Sequence, residues 1–294
     1  MKLITKGLIT ATLVAILAGC SENEEEQAGE TFHVGVIPAL SGDEFLEAVE
    51  ELEGELDEAL PQDVEIEVYP NYNGVVEGLN YGHIQMAYLG PRTYVSANDE
   101  SGAEAIITQL IDGEASYYSY IITHADNPWD TLDEFLENVE ERSFAFGSVS
   151  STSGSLVPGK ELSDRGVYTN EEEYEFDVVS FSGSHDITGE QVESNQVDAG
   201  AIDSAFYNSL IEQGTLDESE TKVIWQSEAL FQYPWSVSPD VDDETVELIK
   251  ETFLNMDNEV VLEGFAATGF TEATDEDYQL IRDIMIEEGE IDAE

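Results

Sequence analysis

The sequence FAFGSVSSTSG at residues 144–154 decides the fold class and points to a site. Its first four residues form a short β-prone run, which predicts a strand. Hydroxyl side chains then fill a turn, and residues 153–163 show the periodicity of a helix. A strand that passes through a short polar turn into a helix is the repeating unit of α/β proteins with mostly parallel sheets.

The same alternation continues on both sides of this segment. The sequence SGDE at residues 41–44 predicts a capping box that starts a helix with an apolar face up to residue 60. The other strands predicted from β-rich runs are residues 32–37, 64–69, 84–89, 104–111, 117–124, 176–181, 197–202 and 223–225. The other predicted helices are residues 74–80, 186–194, 243–256, 260–265 and 275–287. Two βαβ series, followed by helices without a sheet of their own, predict two lobes in which the C-terminal portion returns to the first.

The charge of the chain is strongly negative. Its 294 residues include 9 Lys and Arg against 66 Asp and Glu, which gives a net charge of −57. Binding to nucleic acid is excluded, because phosphate backbones are bound by Lys and Arg. The 12 Phe, 13 Tyr and 3 Trp exclude an acidic disordered chain and predict a folded core. Because the acid is spread over the whole chain, we expect adaptation to a saline habitat, with an ordinary acidic protein as the alternative.

The N-terminal residues have the pattern of an export signal. Lys2 and Lys6 precede an apolar run at residues 7–17, which is too short to span a bilayer comfortably. The sequence LAGC at residues 17–20 resembles the lipobox of bacterial-type lipoproteins. We therefore predict a signal peptide at residues 1–19, and a lipidated Cys20 followed by an acidic linker up to residue 30. Two acyl chains would hold the protein on the outer face of a membrane, at the cell surface or in the periplasm.

The hydroxyl turn is a candidate site for a tetrahedral oxyanion. The first amides of a helix lack intrahelical acceptors and lie at the positive end of its dipole, and Ser151, Thr152 and Ser153 add three hydroxyls. The alternative is an ordinary helix N-cap. The sequence SGSHD at residues 182–186 repeats the pattern and would place His185 beside the same cleft, unless this residue is a structural hydrogen-bonding group. The four His are scattered and Cys20 is the only Cys, so we predict neither a metal nor a cofactor.

Five short motifs taken together resemble the phosphate-, phosphite- and phosphonate-binding proteins of ABC importers. They are STSG (151–154), FSGSHD (181–186), VDAGAIDS (197–204), YNGVVEGL (72–79) and AYLGP (87–91). The resemblance runs from about residue 32 to residues 277–278. It implies an α/β, two-lobed type II periplasmic-binding-protein fold with a hinge and an interlobe ligand cleft. The implied first lobe is residues 31–122 and 234–294, and the second is residues 123–233.

The resemblance also implies the ligand-binding residues. Ser151, Thr152 and Ser153 would form an anion cradle with His185 from the same lobe. Tyr72 would face them from the first lobe. Tyr117 would lie near the hinge, with Tyr118 as the competing register. For either tyrosine the alternative role is that of a packed aromatic residue.

Two departures from the family pattern concern the ligand. Tyr233 precedes Pro234 where phosphonate binders carry an Asp, so an oxygen acceptor is replaced by a phenol. Near Ala205, where binders of aminoalkylphosphonates can place an acid, this chain has none unless Asp203 substitutes for it. The sequence therefore does not favour an aminoethyl ligand, and a smaller or differently substituted oxyanion fits as well.

The implied function is that of a monomeric binding protein, not an enzyme. It would capture a phosphorus oxyanion (phosphonate, phosphite or phosphate) in the cleft and deliver it to an ABC permease with its ATPase. One alternative is the ligand-binding subunit of a membrane sensor system. A second is a hydrolase with Ser151 or Ser153, His185 and Asp203 as its triad, which the lack of a G-x-S-x-G elbow disfavours. Whether His185 must be protonated to bind a dianion stays open at this point.

Overall fold

Two large β-sheets, of six and five strands, lie among the helices of residues 31–293, together with two small two-stranded sheets. The structure is a computed structural model that describes residues 31–293. The strands in chain order are β1 (Phe32–Val36), β2 (Val64–Val68), β3 (Met86–Tyr88), β4 (Glu104–Leu110), β5 (Ser116–Tyr117), β6 (Ser119–His124), β7 (Ser143–Phe146), β8 (Tyr168–Asn170), β9 (Glu173–Tyr174), β10 (Val178–Phe181), β11 (Ala199–Asp203), β12 (Thr221–Gln226), β13 (Leu230–Phe231), β14 (Pro234–Val237) and β15 (Gly269–Glu272). The predicted signal peptide, lipidated Cys20 and linker lie outside the described residues.

The helices lie between these strands and after them. They are α1 (Asp43–Ala59), α2 (Tyr72–Asn80), α3 (Pro91–Ser101), α4 (Leu132–Phe135), α5 (Val157–Asp164), α6 (His185–Glu193), α7 (Ser204–Glu212), α8 (Asp243–Leu254), α9 (Glu259–Gly264) and α10 (Gln279–Glu287). A π-helical turn, Thr152–Leu156, leads directly into α5. Short 3-10 turns occupy Val139–Glu141 and Asp275–Tyr278. None of the helices in the described part of the chain has the length and apolar content needed to cross a bilayer.

The first sheet has the strand order β15-β4-β14-β3-β1-β2. Strand β1 pairs in parallel with β2 and β3, whereas β14 pairs antiparallel with β3 and β4, and β15 antiparallel with β4. The C-terminal portion of the chain thus joins the first sheet. The sequence analysis missed that this portion contributes two strands, β14 and β15, because four-residue strands with helices nearby carry little periodicity.

The second sheet has the order β10-β7-β11-β6-β12. Its strands β10, β7 and β11 are parallel, and β6 is antiparallel to both β11 and β12. The chain passes between the sheets twice, and β5 pairs with β13 within these two crossings. Residues 119–122, which the sequence analysis assigned to the first lobe, are part of β6 and hence of the second sheet. The crossing precedes them because their hydrogen bonds go to β11 and β12.

Aromatic side chains fill both lobes. In the first, the ring of Trp235 lies 4.9 Å from that of Tyr88 and 5.0 Å from that of Phe253. In the second, Phe144 and Phe146 on β7 are 4.8 Å apart. Each such buried ring contributes about 1.5–3 kcal/mol through burial alone. The strand that precedes the hydroxyl turn is therefore anchored in the core by its own buried aromatic rings.

The predicted capping box at the start of α1 is wrong. Gly42 is the N-cap residue and makes no side-chain capping bond. Ser41 instead donates from its backbone N and its Oγ to Asp186 Oδ2 in the second lobe, at 3.0 and 2.5 Å. A carboxylate accepting two hydrogen bonds is a better partner than the amide that a capping box would use. The serine thus joins the lobes instead of capping its own helix.

The two lobes are closed on each other. Besides Ser41, the backbone N of His185 donates to Ala39 O at 3.1 Å. Lys160 on α5 forms an ion pair with Glu287 on α10, with 3.5 Å between Nζ and Oε2. These contacts bring the carboxyl ends of the parallel strands of both sheets to one cleft, where ligands of open α/β sheets bind.

Candidate functional site

The hydroxyl turn after β7 is held by its own backbone. Gly147 N donates to Gly154 O at 2.7 Å, and Ser151 Oγ accepts from Gly154 N at 3.0 Å. A Cβ on Gly154 would lie 2.9 Å from Ser151 Oγ, so only glycine allows this closure without a shift. Ser151 is thus the N-cap residue of the π-helical turn, as the simpler alternative supposed. Since its oxygen accepts from an amide, its hydroxyl proton remains free to donate elsewhere.

The Thr152 hydroxyl also accepts a hydrogen bond from a backbone amide, but this amide belongs to the other lobe. Its Oγ1 accepts from the backbone N of Arg92 at 2.8 Å, across the cleft. Arg92 lies in the first turn of α3, which begins at Pro91, a residue suited to the first position of a helix. Gly90 permits the approach, because a Cβ there would lie 3.0 Å from the Tyr233 ring and 3.6 Å from Thr152 Oγ1. The hydroxyl proton of Thr152 is therefore also free.

The sequence analysis missed α3 and the role of Arg92. The Gly90-Pro91 pair is a helix-start signal and could have predicted this helix. The contact between its amide and Thr152 joins residues 60 positions apart, and nothing in the local sequence indicates it. The Arg92 guanidinium points away from the hydroxyls: Nε and Nη2 donate to Glu290 at 3.0 and 2.6 Å, and Nη1 donates to Val149 O at 2.5 Å.

Two tyrosines bring hydroxyls without partners to the cluster. Tyr72, the first residue of α2, and Tyr117 on β5 are each 1% exposed. Neither hydroxyl has a hydrogen-bond partner among residues 31–293. Burial, followed by the charge of Asp203, raises the pKa of both phenols, while the Ser151 hydroxyl near Tyr72 and the Ser153 and Thr152 hydroxyls near Tyr117 lower it. Both phenols therefore keep their protons and can donate them.

Tyr117, not Tyr118, is the tyrosine that reaches the cluster. Its ring centroid lies 5.4 Å from that of Tyr233. Tyr118 is only half-buried, and its backbone N and O bond to Ser204.

His185, the first residue of α6, is a neutral donor. Its Nδ1 accepts from the backbone N of Asp203 at 3.2 Å, so the proton lies on Nε2. Nε2 faces the Tyr233 hydroxyl at 3.2 Å. Burial lowers the pKa of His185 to about 4, and the Asp186 carboxylate offsets this only in part. At neutral pH the imidazole therefore offers a hydrogen bond without a charge.

Asp203 is a carboxylate in a cluster of donors. It ends β11 and caps α7, where its Oδ1 accepts from the backbone N atoms of Ala205 and Phe206 at 2.7 and 3.2 Å. Its Oδ2 lies 3.5 Å from Ser153 Oγ. Burial raises the pKa of Asp203 to about 7, although the hydrogen bonds from Phe206, Ala205, Tyr233 and Ser153 oppose this. One of its oxygens is thus engaged in the helix cap, and the other faces the hydroxyl turn.

Tyr233 closes the cluster from the hinge side. Its buried ring lies 5.6 Å from both Tyr88 and Phe206, and burial raises the pKa of its phenol well above the usual value. The structure thus brings together every residue that the sequence analysis placed in the site: Tyr72, Tyr117, Ser151, Thr152, Ser153, His185, Asp203 and Tyr233. Their free protons outnumber their free acceptor oxygens, which is the composition of a receptor for an oxyanion.

The geometry does not form a catalytic triad. His185 Nδ1 contacts the backbone of Asp203 and not its carboxylate, and Ser153 lies beside that carboxylate directly. A triad needs the histidine between the serine and the acid. Within residues 31–293, no group of His, Cys, Asp or Glu is arranged to hold a metal ion.

Comparisons with known proteins agree with this geometry. Residues 34–278 match the family model described as the periplasmic substrate-binding protein of ABC transporters for phosphonate. The chain is 26% identical to the phosphate-import protein PhnD of Mycolicibacterium smegmatis, over 93% of each protein. It is also 26% identical to the probable ABC transporter phosphite binding protein PhnD1 of Prochlorococcus marinus, over 85% of this chain and 87% of that protein.

A solved structure shows the same fold. The structure of Prochlorococcus marinus PhnD1 in complex with methylphosphonate superimposes with a TM-score of 0.79 at 24% identity. The match covers 89% of this chain and 99% of that one. The two-lobed architecture of periplasmic binding proteins is therefore confirmed for this chain.

Proposed function

Because the chain belongs to the family of phosphonate-binding periplasmic substrate-binding proteins of ABC transporters, we propose that it captures a phosphorus oxyanion between its lobes and delivers it to an ABC permease. Phosphite, methylphosphonate and phosphate are the candidate ligands, since relatives of this chain are named for phosphate and phosphite, and a solved neighbour is described with methylphosphonate. The closed lobes would be the state that the permease recognises.

The excess of buried donors carries this proposal. Within residues 31–293 the hydroxyls of Tyr72 and Tyr117 lack partners, and those of Ser151 and Thr152 accept from amides and keep their protons. The Nε2–H of His185 lies beside them and contacts the Tyr233 hydroxyl. An unpartnered buried hydroxyl costs free energy, about 1–3 kcal/mol each. A tetrahedral oxyanion with three oxygens would satisfy these donors together. No side-chain cation takes part in the described cluster, so binding rests on hydrogen bonds.

Calorimetry in high salt tests the ligand class. Phosphate, phosphite, methylphosphonate and 2-aminoethylphosphonate are titrated into the purified mature protein, with acetate and methanesulfonate as controls. We expect binding of at least one of the first three, and weaker binding of the aminoethyl compound, because Ala205 supplies no acid for its ammonium. If all four phosphorus compounds fail while the carboxylate or the sulfonate binds, the ligand class is wrong.

Import and sensing differ in the membrane protein that the closed binding protein contacts, which is an ABC permease in one case and a sensor in the other. A sensor subunit would use the same closing lobes, and genes for a permease and an ATPase beside this one would favour import. The hydrolase alternative is contradicted, since the family is a substrate-binding component of a transporter. The histidine of the supposed triad also does not lie between the serine and the carboxylate. We also propose that the protein acts as a monomer, which light scattering during gel filtration would test.

We propose further that a lipid on Cys20 holds the protein at the membrane. The LAGC sequence at residues 17–20 supports this, and the family is periplasmic. Expression in a host with lipoprotein processing, followed by labelling with a fatty-acid analogue, tests it. Label in the wild-type protein and none in Cys20→Ser are expected, and an unlabelled wild-type protein in the soluble fraction would contradict the anchor.

A further inference from the structure

Asp203 is an acidic side chain in a site whose other side chains can all donate hydrogen bonds. A carboxylate can only accept hydrogen bonds when ionised, and an oxyanion offers no proton unless it is itself protonated. Two negative groups in a dry cleft repel each other strongly. Since the side chain is fully buried, water does not relieve this conflict.

The position of Oδ2 shows which part of a ligand the carboxylate meets. Asp203 Oδ1 is occupied by two amides of α7, and Oδ2 lies 3.5 Å from Ser153 Oγ. Ser153 belongs to the hydroxyl turn, so Oδ2 faces the place of the phosphorus oxygens themselves. An ammonium group two carbons away from phosphorus would lie outside this position. The carboxylate is therefore better placed to accept a proton from a P–OH group than to balance a distant ammonium.

We propose that Asp203 determines specificity by accepting the proton of a P–OH group, so that the site takes tetrahedral oxyanions with an ionisable proton and rejects proton-less oxyanions of the same shape. This inference rests on the proposed function and narrows it. In the complex one proton lies between the ionised Asp203 and a ligand oxygen, and the ligand brings it as the P–OH group of its monoanion. Sulfonates bring no proton, so the charge of an ionised Asp203 would face the sulfonate charge with no hydrogen bond between them.

The surroundings of Asp203 fit this sharing of a proton near neutral pH. Burial raises the pKa of its carboxyl to about 7. No basic side chain faces it within the described residues; the groups that do are Ser153 of the π-helical turn, the amides of Ala205 and Phe206, His185 of α6, Tyr72 of α2, Tyr88 of β3, Tyr117 of β5, Tyr120 of β6 and Tyr233 before β14. Asp186, which acts on His185 and Tyr72, adds a second negative charge nearby.

Methylphosphonate and methanesulfonate test the inference, because they have the same shape and differ in the proton. A site built to bond a hydroxyl rejects an analogue without it by roughly 10⁴-fold. At pH 8.5, where Asp203 is ionised, we expect the wild-type protein to prefer methylphosphonate by about this factor, and Asp203→Asn to reduce the preference to roughly 100-fold or less. Asparagine keeps the cap of α7, since it caps helices as well as Asp does. Asp242→Asn, which removes the capping carboxylate of α8 away from the cleft, is the matched control and should keep the wild-type preference.

Proton uptake gives a second readout. Calorimetry at pH 8.5 in two buffers of different ionisation enthalpy counts the protons that enter with methylphosphonate. We expect about one proton for the wild-type protein and for Asp242→Asn, and about none for Asp203→Asn, whose amide can donate to the dianion. Above pH 7 the wild-type affinity should fall towards tenfold per pH unit, because that proton must be taken from solution.

The outcomes separate the inference from the proposed function. If the wild-type protein binds no phosphorus oxyanion, the proposed function fails, and the inference with it. If it binds methylphosphonate without proton uptake, or if Asp203→Asn keeps the full discrimination against methanesulfonate, the inference alone fails. Loss of only 2-aminoethylphosphonate in Asp203→Asn would show that the carboxylate meets an ammonium, which also overturns it.

Discussion

Replacing Thr152 by valine tests whether the hydroxyl turn grips the ligand. Valine keeps the shape of the side chain and removes only the hydroxyl. In the closed protein Thr152 is fully buried, and its Oγ1 accepts from Arg92 N at 2.8 Å. The substitution removes a donor to the ligand, and it also leaves the amide of Arg92 without an acceptor when the lobes close.

The two losses give the expected magnitude. A hydrogen bond to a charged group contributes about 1.5–3 kcal/mol, and a buried unsatisfied amide costs about 1–3 kcal/mol. Together they weaken binding by about 2.5–6 kcal/mol, which is roughly 10² to 10⁴ in the dissociation constant. In the open protein water can solvate the amide, so the unliganded Thr152→Val protein should lose about 1 kcal/mol of stability or less.

Calorimetry with methylphosphonate and phosphite in high salt, together with thermal unfolding of the unliganded protein, measures both quantities. Thr152→Ser is the matched variant, since it restores the hydroxyl and should recover most of the affinity. A Thr152→Val protein that binds within about threefold of the wild type would show that the turn does not contact the ligand. A large loss of stability without ligand would show that Thr152 is mainly a folding residue.

Three further predictions concern closure, the histidine and the surface. Arg92→Gln should raise the dissociation rate of methylphosphonate by about 2- to 12-fold in stopped-flow experiments, because one hydrogen bond to Val149 O across the cleft, worth about 0.5–1.5 kcal/mol, is lost. Lys160→Gln breaks a more exposed interlobe ion pair and should change this rate little. Equal effects of the two substitutions would contradict the role of Arg92. The pKa of His185 is about 4 in the folded protein against 6.5 in the unfolded chain, so protons favour the unfolded chain as the pH falls from 6.5 to 4. Relative to His185→Gln, the wild-type protein should lose up to about 3 kcal/mol of its free energy of unfolding over this range. Parallel stability profiles of the two proteins would exclude a buried neutral imidazole. The melting temperature should rise by several degrees between 20 mM and 2 M NaCl as carboxylate repulsion is screened, and an unchanged value would exclude the saline adaptation.

The sequence predicted those parts of the site that are local in the chain. The hydroxyl turn and the segment around His185 each follow a strand and open a helix, so the signals of a strand end and a helix start place their residues correctly. Tyr117 was left open against Tyr118, because neighbouring residues of a strand point to opposite faces and the sequence did not fix the register.

The missing parts are those that depend on the other lobe. Ser41 reads as a capping residue until Asp186 is brought within 3.0 Å of its amide. Arg92 reads as a surface residue until its amide meets Thr152. Both contacts form only because the lobes close, so they depend on the tertiary arrangement and have no periodicity of their own. The π-helical turn at Thr152–Leu156 has a different origin within the second lobe, since its extra residue accommodates the contact between Gly147 and Gly154.

If the protein works in brine, as its composition predicts, a site of neutral donors with one acid suits it. At ~1 M salt the Debye length is ~3 Å, so the −57 charge repels an incoming anion only at short range, while hydrogen bonds inside the closed cleft are hardly screened. The abundant competitor there is chloride, and a lysine or arginine in the site would attract chloride as well as the ligand. Asp203 would repel chloride, which has no proton to share, and still accept a P–OH group. Methylphosphonate affinity of the wild-type protein should therefore be the same in 2 M sodium chloride as in 2 M sodium gluconate, whereas Asp203→Asn should bind more weakly in chloride. Equal chloride sensitivity of the two proteins would show that the Asp203 carboxylate does not keep chloride out of the cleft.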